Sequence, residues 1–503
     1  MAEAAKGTLY IALQNALQYL VLFLFYVIAA RILSPADIGK SSILMFFMTV
    51  FTVFTQFSLP VASAKFISEG IAKGQLAVAG AVAEKAFRLV LLFSVPSMLL
   101  ASFLSPWLSI ALFGTDAETV SLIVVAVTCV VLNVANLYSG DLRGLGKFRE
   151  MALAGLSYVA FSRVLSLTLA WFGYGVQGVV VGWFLGAVIF LFLSRFFLGY
   201  ELPHSGGGDF VVKALLAYCY PILAYTVVTM IQGWVDVMML YALTSDLALE
   251  GVYYLAVSGS TIVSVFWVAI ATTILPLISA KYGRGRDVEG DIAVSMRFLN
   301  LTVLPFSLSL SAVSQTAVVF AYGPGYLSGV LPFAVLTSAS IIQAYVSLFA
   351  TVLQAVGETR TLMNAGLISS IFNAIVVLVL GRYLGVMGAV VARVVMFSVA
   401  LGLCFWEVKK RLGFTMDVDS FKRALLFSTV VAVPIAFVDS ALMHAIRMHP
   451  FVTLLIDGTI FVGVGSLVAR KFRLLKVEDI ELLRQALPKS LHGLLGLVEG
   501  LIL

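Results

Sequence analysis

Three ionisable side chains stand well inside long apolar stretches of this sequence: Arg163, Asp236 and Arg393. A charge at the centre of a helix in hydrocarbon costs about 2.5 to 3.5 kcal/mol on insertion scales, so each of these positions asks for a use. A guanidinium is a planar fork that stays charged at any physiological pH and grips oxyanions through two parallel N–H donors. A carboxyl group in the same setting pairs with a basic side chain or takes up a coupling cation or proton. Asp236 also ends a series, Tyr225, Thr229, Gln232 and Asp236, whose spacing of i, i+4, i+7 and i+11 puts all four on one face of a helix. Gln14, Asn15 and Gln18 make a second polar patch near the N-terminus, while Arg31, Lys65 and Lys281 stand at the ends of apolar stretches.

The elements that hold these residues must be membrane-spanning helices. Of 503 residues 61% are hydrophobic and only 12% charged, with a mean hydropathy of +1.05, which excludes a soluble enzyme, a secreted disulfide scaffold and a disordered chain. The net charge of +6 is not gathered into a basic run interleaved with aromatics, so no nucleic-acid partner is expected. Cys129, Cys219 and Cys404 lie far apart in apolar runs and read as small core residues rather than a disulfide framework or metal cluster. The stretch after Lys6 runs apolar to Ala30, long enough to span rather than to be cleaved as a signal peptide.

Spans of about 20 apolar residues are predicted at 9 to 30, 41 to 60, 86 to 108, 119 to 138, 151 to 172, 176 to 198, 214 to 241, 251 to 276, 294 to 318, 329 to 352, 362 to 382, 386 to 406, 422 to 443 and 451 to 469, fourteen in all. Alternating the loops from a cytoplasmic N-terminus places Lys65, Lys73, Lys85, Arg143, Lys147, Arg149, Lys213, Lys281, Arg284, Arg286, Arg360 and Lys409-Lys410-Arg411 on one side. The other side receives Arg31, Lys40, Arg382 and Arg447. That asymmetry is the positive-inside pattern of a multi-pass protein of the cytoplasmic membrane with both termini cytoplasmic.

A duplication runs through the chain at an offset of about 210 residues. Leu59-Pro60-Val61-Ala62-Ser63-Ala64-Lys65-Phe66 recurs as Leu275-Pro276-Leu277-Ile278-Ser279-Ala280-Lys281-Tyr282, and Gly175-Val176-Gln177-Gly178 recurs as Gly385-Val386-Met387-Gly388. Pro96 with Pro305, Phe113-Gly114 with Tyr322-Gly323, and Ala154-Gly155-Leu156 with Ala365-Gly366-Leu367 fall in the same order. Six spans separate equivalent points, so the halves are parallel repeats about an axis along the membrane normal. The expected architecture is all-α: two six-helix bundles, 1–200 and 201–421, around a central cleft, then two extra helices in 422–470 and an amphipathic cytoplasmic tail in 471–503.

Arg31-Ile32-Leu33-Ser34-Pro35-Ala36-Asp37-Ile38-Gly39, Gln354-Ala355-Val356-Gly357-Glu358-Thr359-Arg360, Asn373 and Gly385-Val386-Met387-Gly388-Ala389 resemble segments of the polysaccharide and lipid-linked oligosaccharide flippases of the multidrug/oligosaccharidyl-lipid/polysaccharide exporter superfamily. The resemblance implies a flippase that moves an isoprenoid-diphosphate oligosaccharide from the cytoplasmic to the outer leaflet, with membrane lipids and polysaccharide-assembly proteins as its partners and no cofactor or metal. It further implies that the first and seventh helices border the cleft. On that reading Arg163, Arg393 and Arg31 attract the diphosphate, Gln232 lines the path, Asp236 pairs with an arginine or takes up a coupling cation or proton, and Lys65 with Lys281 forms a basic cytoplasmic mouth. The plainer alternatives are mutual neutralisation for Arg163, Asp236 and Arg393, an interfacial anchor for Arg31, and topology anchors for the two lysines. Arg393 stands where the family commonly has a small or hydroxyl residue, and Lys65 where it often has arginine.

Two rivals remain at this stage. A cation-coupled drug exporter of the same superfamily is expected to have twelve helices and an acid-rich cleft, whereas this chain continues past residue 421 and has mainly basic deep charges. A membrane-embedded sugar transferase would need more than Asp417-Val418-Asp419 in a short loop, for no nucleophile or second ligand accompanies it at helical spacing.

Overall fold

The computed structural model describes residues 2–199 and 209–472, and every regular element in them is helical. The predicted tail, 471–503, lies almost wholly outside the described residues, as does the side chain of Asn15. Two compact units divide the chain, Met1–Tyr254 and Leu255–Leu503.

The first unit contains α1 (Ala2–Ile32), α2 (Pro35–Gln56), α3 (Leu59–Ala72), α4 (Leu76–Phe113), α5 (Thr119–Gly144), α6 (Phe148–Leu169), α7 (Gly175–Leu198), α8 (Asp209–Thr244) and the start of α9 (Leu247–Ser260). The Ser34-Pro35-Ala36-Asp37 segment is a helix start. Ser34 Oγ accepts the Asp37 N–H at 3.2 Å, the Asp37 carboxylate accepts the Ser34 N–H at 3.3 Å, and Pro35 opens the first turn, where its missing N–H costs nothing. Phe57 and Ser58 adopt left-handed backbone (φ 53° and 56°), so the predicted span 41 to 60 breaks there and α3 starts at Leu59, with Pro60 in its first turn. The core of this unit packs Leu59, Ile67, Ala79, Val82, Ala86, Val90, Leu137 and Leu215, and Asn133 of α5 ties α2 and α4 together through Thr55 (2.7 Å) and Ser94 (2.9 Å).

The second unit continues α9 and adds α10 (Ser264–Tyr282), α11 (Glu289–Ala312), α12 (Ser314–Ala321), α13 (Val330–Ser338), α14 (Ser340–Ala355), α15 (Thr359–Leu384), α16 (Val386–Leu412), α17 (Val418–Ser440) and α18 (Pro450–Phe472). Its core is Val263, Ile278, Ile292, Leu299, Val303, Leu348, Phe349, Val352 and Val408. Asp417 caps α17 by accepting the Ser420 N–H at 2.9 Å, which gives the Asp417-Val418-Asp419 run a structural use.

Among the described residues, 11 helices are long and apolar enough to cross a membrane, or 12 if α13 with its preceding turn and α14, bent by 40°, form one span. Large apolar side chains are turned outward on many of them, among them Leu92, Phe103, Trp171, Phe192, Tyr383 and Phe437. Water would not tolerate so continuous an apolar exterior, and hydrocarbon requires it. The protein is an all-α polytopic membrane protein.

The duplication reaches the backbone. Gly175 and Gly385 both open the second helix of a tight hairpin, with φ/ψ of 50°/−132° and 53°/−125°, a region that side chains with a Cβ avoid. Repeat-related glycines thus make the same sharp turn between α6 and α7 and between α15 and α16.

Candidate functional site

Arg163 projects from α6 and is half-buried, its guanidinium carbon 4.8 Å from the ring centre of Phe25 on α1. Its Nε and Nη1 are buried without a hydrogen-bond partner, and among the described residues it forms no ion pair. Phe25 also lines a small cavity of about 10 Å³ with Tyr26, Ser41, Trp183 and Tyr254, in which the Trp183 indole N–H and the Ser41 hydroxyl are likewise buried and unpartnered. Tyr26 and Tyr254 share a hydrogen bond at 2.8 Å, and Tyr254 stacks on Trp234 of α8. The chemistry here is one-sided: a guanidinium, an indole N–H and a hydroxyl all await acceptors, and an oxyanion or a sugar hydroxyl supplies them.

Asp236 is fully buried on α8. Its carboxylate accepts the Tyr253 hydroxyl at 2.7 Å and its own chain's Val237 N–H at 2.9 Å. The stripe that ends on it grades from exposed Tyr225 and Thr229 through half-buried Gln232. Arg393 lies in the second unit on α16, 8% exposed, lining a cavity of about 30 Å³ with Ser260, Thr261, Ser340 and Gln343. Arg31 is exposed in the last turn of α1. Lys65 lies over the rings of Phe66 (4.7 Å) and Tyr218 (4.2 Å) and 3.6 Å from Glu69, whereas Lys281 is held by both oxygens of Asp291 at 2.8 Å. The two repeat-related lysines therefore differ: Lys281 is neutralised in a bidentate pair, and Lys65 is only loosely paired.

At the N-termini of α2 and α9 the two helices touch backbone to backbone. A Cβ on Gly39 would collide with the Leu247 carbonyl, and one on Gly251 with the Pro35 carbonyl. These pairs are repeat-related, since Pro35 and Gly39 each fall 212 positions before Leu247 and Gly251. The crossing is thus self-complementary, as a two-fold contact must be. Beside it Ser42 donates a hydrogen bond to buried Glu250, whose second oxygen has no partner.

The sequence profile of the family described as "Polysaccharide biosynthesis protein" matches residues 4–281, more than half of the chain. The chain belongs to the polysaccharide biosynthesis protein family. Its fold is similar to that of a solved structure titled lipid II flippase MurJ in an inward closed conformation, at a TM-score of 0.74 and 16% identity, over 92% of this chain and 99% of that one. An inward-facing multidrug resistance MATE family transporter of the MOP superfamily matches at 0.64 and 15% identity, over 79% of this chain and 94% of that one. A MOP superfamily transporter from Pyrococcus furiosus, whose title reports a binding pocket of reverse polarity, matches at 0.57 and 17%, over 81% and 96%. No curated protein matches the sequence.

This polysaccharide biosynthesis protein family member carries more buried acids than the sequence reading found. Besides Asp236, the described residues bury Asp141, which accepts a hydrogen bond from Ser63, and Glu250, Asp439 and Asp457. The expectation of three deep charges is corrected accordingly. Asp141 and Glu250 fall just beyond the apolar runs used to draw spans, because α5 and α9 extend past them. Asp439 and Asp457 stand inside the predicted thirteenth and fourteenth spans, where a count of acids per span would have picked them out.

Proposed function

We propose that this protein flips a lipid-linked oligosaccharide, carried on an isoprenoid diphosphate, from the cytoplasmic to the outer leaflet by alternating access, for surface polysaccharide or glycoconjugate assembly. The observation that carries the reading is the unpaired Arg163 guanidinium within a membrane-spanning helix: a structural charge in lipid would have found a carboxylate, and a site for cationic drugs would not present a cation. The family, and a fold likeness that covers 92% of the chain, support the same reading.

In this mechanism two six-helix bundles, 1–200 and 201–421, rock about a central cleft, and the helices of 422–470 complete fourteen spans with both termini cytoplasmic. Counting the bent α13–α14 pair as one span and Phe148–Leu198 as the two helices α6 and α7, and adding apolar Leu17–Ile32, supports that number. The headgroup enters past Lys65 and Lys281, its diphosphate is drawn by Arg163, Arg393 and Arg31, its sugar passes Gln232, and the tail stays in lipid. Asp236 takes up a coupling cation or proton, with the Tyr253 hydroxyl holding the carboxylate in place. The α2–α9 crossing closes one end of the path, and a pseudo-two-fold contact parts as the bundles rock. With the cell interior negative, outward movement of a diphosphate runs downhill by about 2.3 kcal/mol per charge per 100 mV.

Headgroup translocation in proteoliposomes is the test. Purified protein should move an isoprenoid-diphosphate oligosaccharide to the opposite leaflet, faster with an imposed potential. Failure to move any such lipid, with efflux of a cationic drug instead, would overturn the proposal.

A further inference from the structure

Glu250 has no part in that mechanism, although it stands at the crossing that closes the path. It is fully buried in the first turn of α9, where the Ser42 hydroxyl of α2 donates to one of its oxygens. Its second oxygen has no partner and is pressed against the α2 backbone, since a Cβ on Gly39 would lie 2.8 Å from it. Among the described residues Glu250 forms no ion pair. The other half of the repeat fills the matching place differently: Ile38, 212 positions earlier, is as deeply buried and apolar. The scaffold therefore does not demand an acid at this contact.

A polar space adjoins it. Ser42 also lines the cavity of about 10 Å³ in which the Ser41 hydroxyl and the Trp183 indole N–H are buried and unpartnered. That is room for about one water molecule, with polar groups to hold it. The neutral acid suits a dry backbone contact, whereas the carboxylate would bring a charge answered by a single hydroxyl. The start of α9 lends the anion some support, so both forms are within reach. The titratable groups that act on this place are Tyr241 of α8 and Tyr254 of α9. On α2, Asp37 is bound to Ser34 and Lys40 to Glu118 of α5 at 3.1 Å, Arg31 at the end of α1 is exposed, and Arg163 of α6 acts on Tyr254.

We propose that Glu250 is a proton-binding site that sets the state of the α2–α9 crossing: the neutral acid lets the helices close, and the carboxylate parts them. When the O–H bond breaks, the proton leaves on water by way of Ser42 and the electron pair stays on the carboxylate. Closing takes one proton up and opening releases it. That this movement gates a lipid-linked oligosaccharide rests on the flippase reading; the movement itself does not.

The test is the distance between spin labels at Ala36 and Ala248, at the starts of α2 and α9, measured on the full-length protein from about pH 5 to about pH 9. Raising the pH should shift the open-to-closed ratio by up to about tenfold per pH unit, the limit for one proton. Glu250→Gln protein, neutral throughout, should stay closed at every pH, and so should Glu250→Ile protein, which copies the other half; the second stands in if the first does not fold. A wild-type distance indifferent to pH refutes the proposal without any variant, and so does a shift that persists in either variant or that disappears in Asp236→Asn protein. Headgroup translocation on the same preparations separates the two readings. If no lipid moves while the distance follows pH through Glu250, the flippase reading falls and the gate stands; if lipid moves while the distance ignores pH, the gate alone falls.

Discussion

Replacing Arg163 by methionine separates a substrate-binding arginine from a structural one, because the two roles move stability in opposite directions. The guanidinium leaves two buried N–H groups unsatisfied, each costing about 1 to 3 kcal/mol, and recovers about 2 kcal/mol from its stacking on Phe25. Methionine fills a similar path along α6 without donors, so the folded state should be unchanged or more stable by up to about 4 kcal/mol. A buried ion pair would behave otherwise, since removing one partner costs about 3 to 5 kcal/mol. Function should fall meanwhile: charge-assisted hydrogen bonds to a diphosphate contribute about 1.5 to 3 kcal/mol, a loss of one to two orders of magnitude in apparent affinity. The assays are thermal unfolding in detergent and headgroup translocation in proteoliposomes on the same preparations. Arg163→Met protein that unfolds several degrees earlier yet flips at the wild-type rate would refute the assignment. Arg163→Lys should recover only part of the activity, because a single ammonium cannot bind two oxygens in parallel.

Other substitutions probe separate contacts. Tyr253→Phe strips the buried Asp236 carboxylate of its hydroxyl donor and should destabilise by about 1 to 3 kcal/mol, read by thermal unfolding; an unchanged Tm would mean another donor takes over. Gly39→Leu drives a side chain into the Leu247 carbonyl and should hold the α2–α9 crossing apart, seen as lost disulfide trapping between cysteines placed on the two helices and as lost transport. Lys281→Ala removes a partly exposed ion pair with Asp291 and should cost no more than about 1 kcal/mol; a larger transport defect than stability defect would place Lys281 on the substrate path.

Much of the scaffold was legible because lipid leaves few options. Every backbone group in hydrocarbon must be bonded within a helix, so long apolar stretches identify themselves. The repeat was equally readable at Gly175 and Gly385, where one backbone turn demands the same residue twice. Asp439 and Asp457 were not, since an apolar run draws the eye past a single acid and only packing brings two acids together from separate helices. The Gly39–Gly251 crossing was hidden for a related reason: each glycine is unremarkable in its own helix and informative only against the other's carbonyl.

The sequence by itself determined the solvent, the helices, the duplication and the family, because these follow from composition and local backbone demands. Only the tertiary structure decided how each charge is answered. Lys281 meets Asp291, Asp236 meets Tyr253, and Arg163 meets no acceptor at all. Side-chain partners come from other helices, and a charge in lipid takes its meaning from whichever of them lies within three ångströms or so.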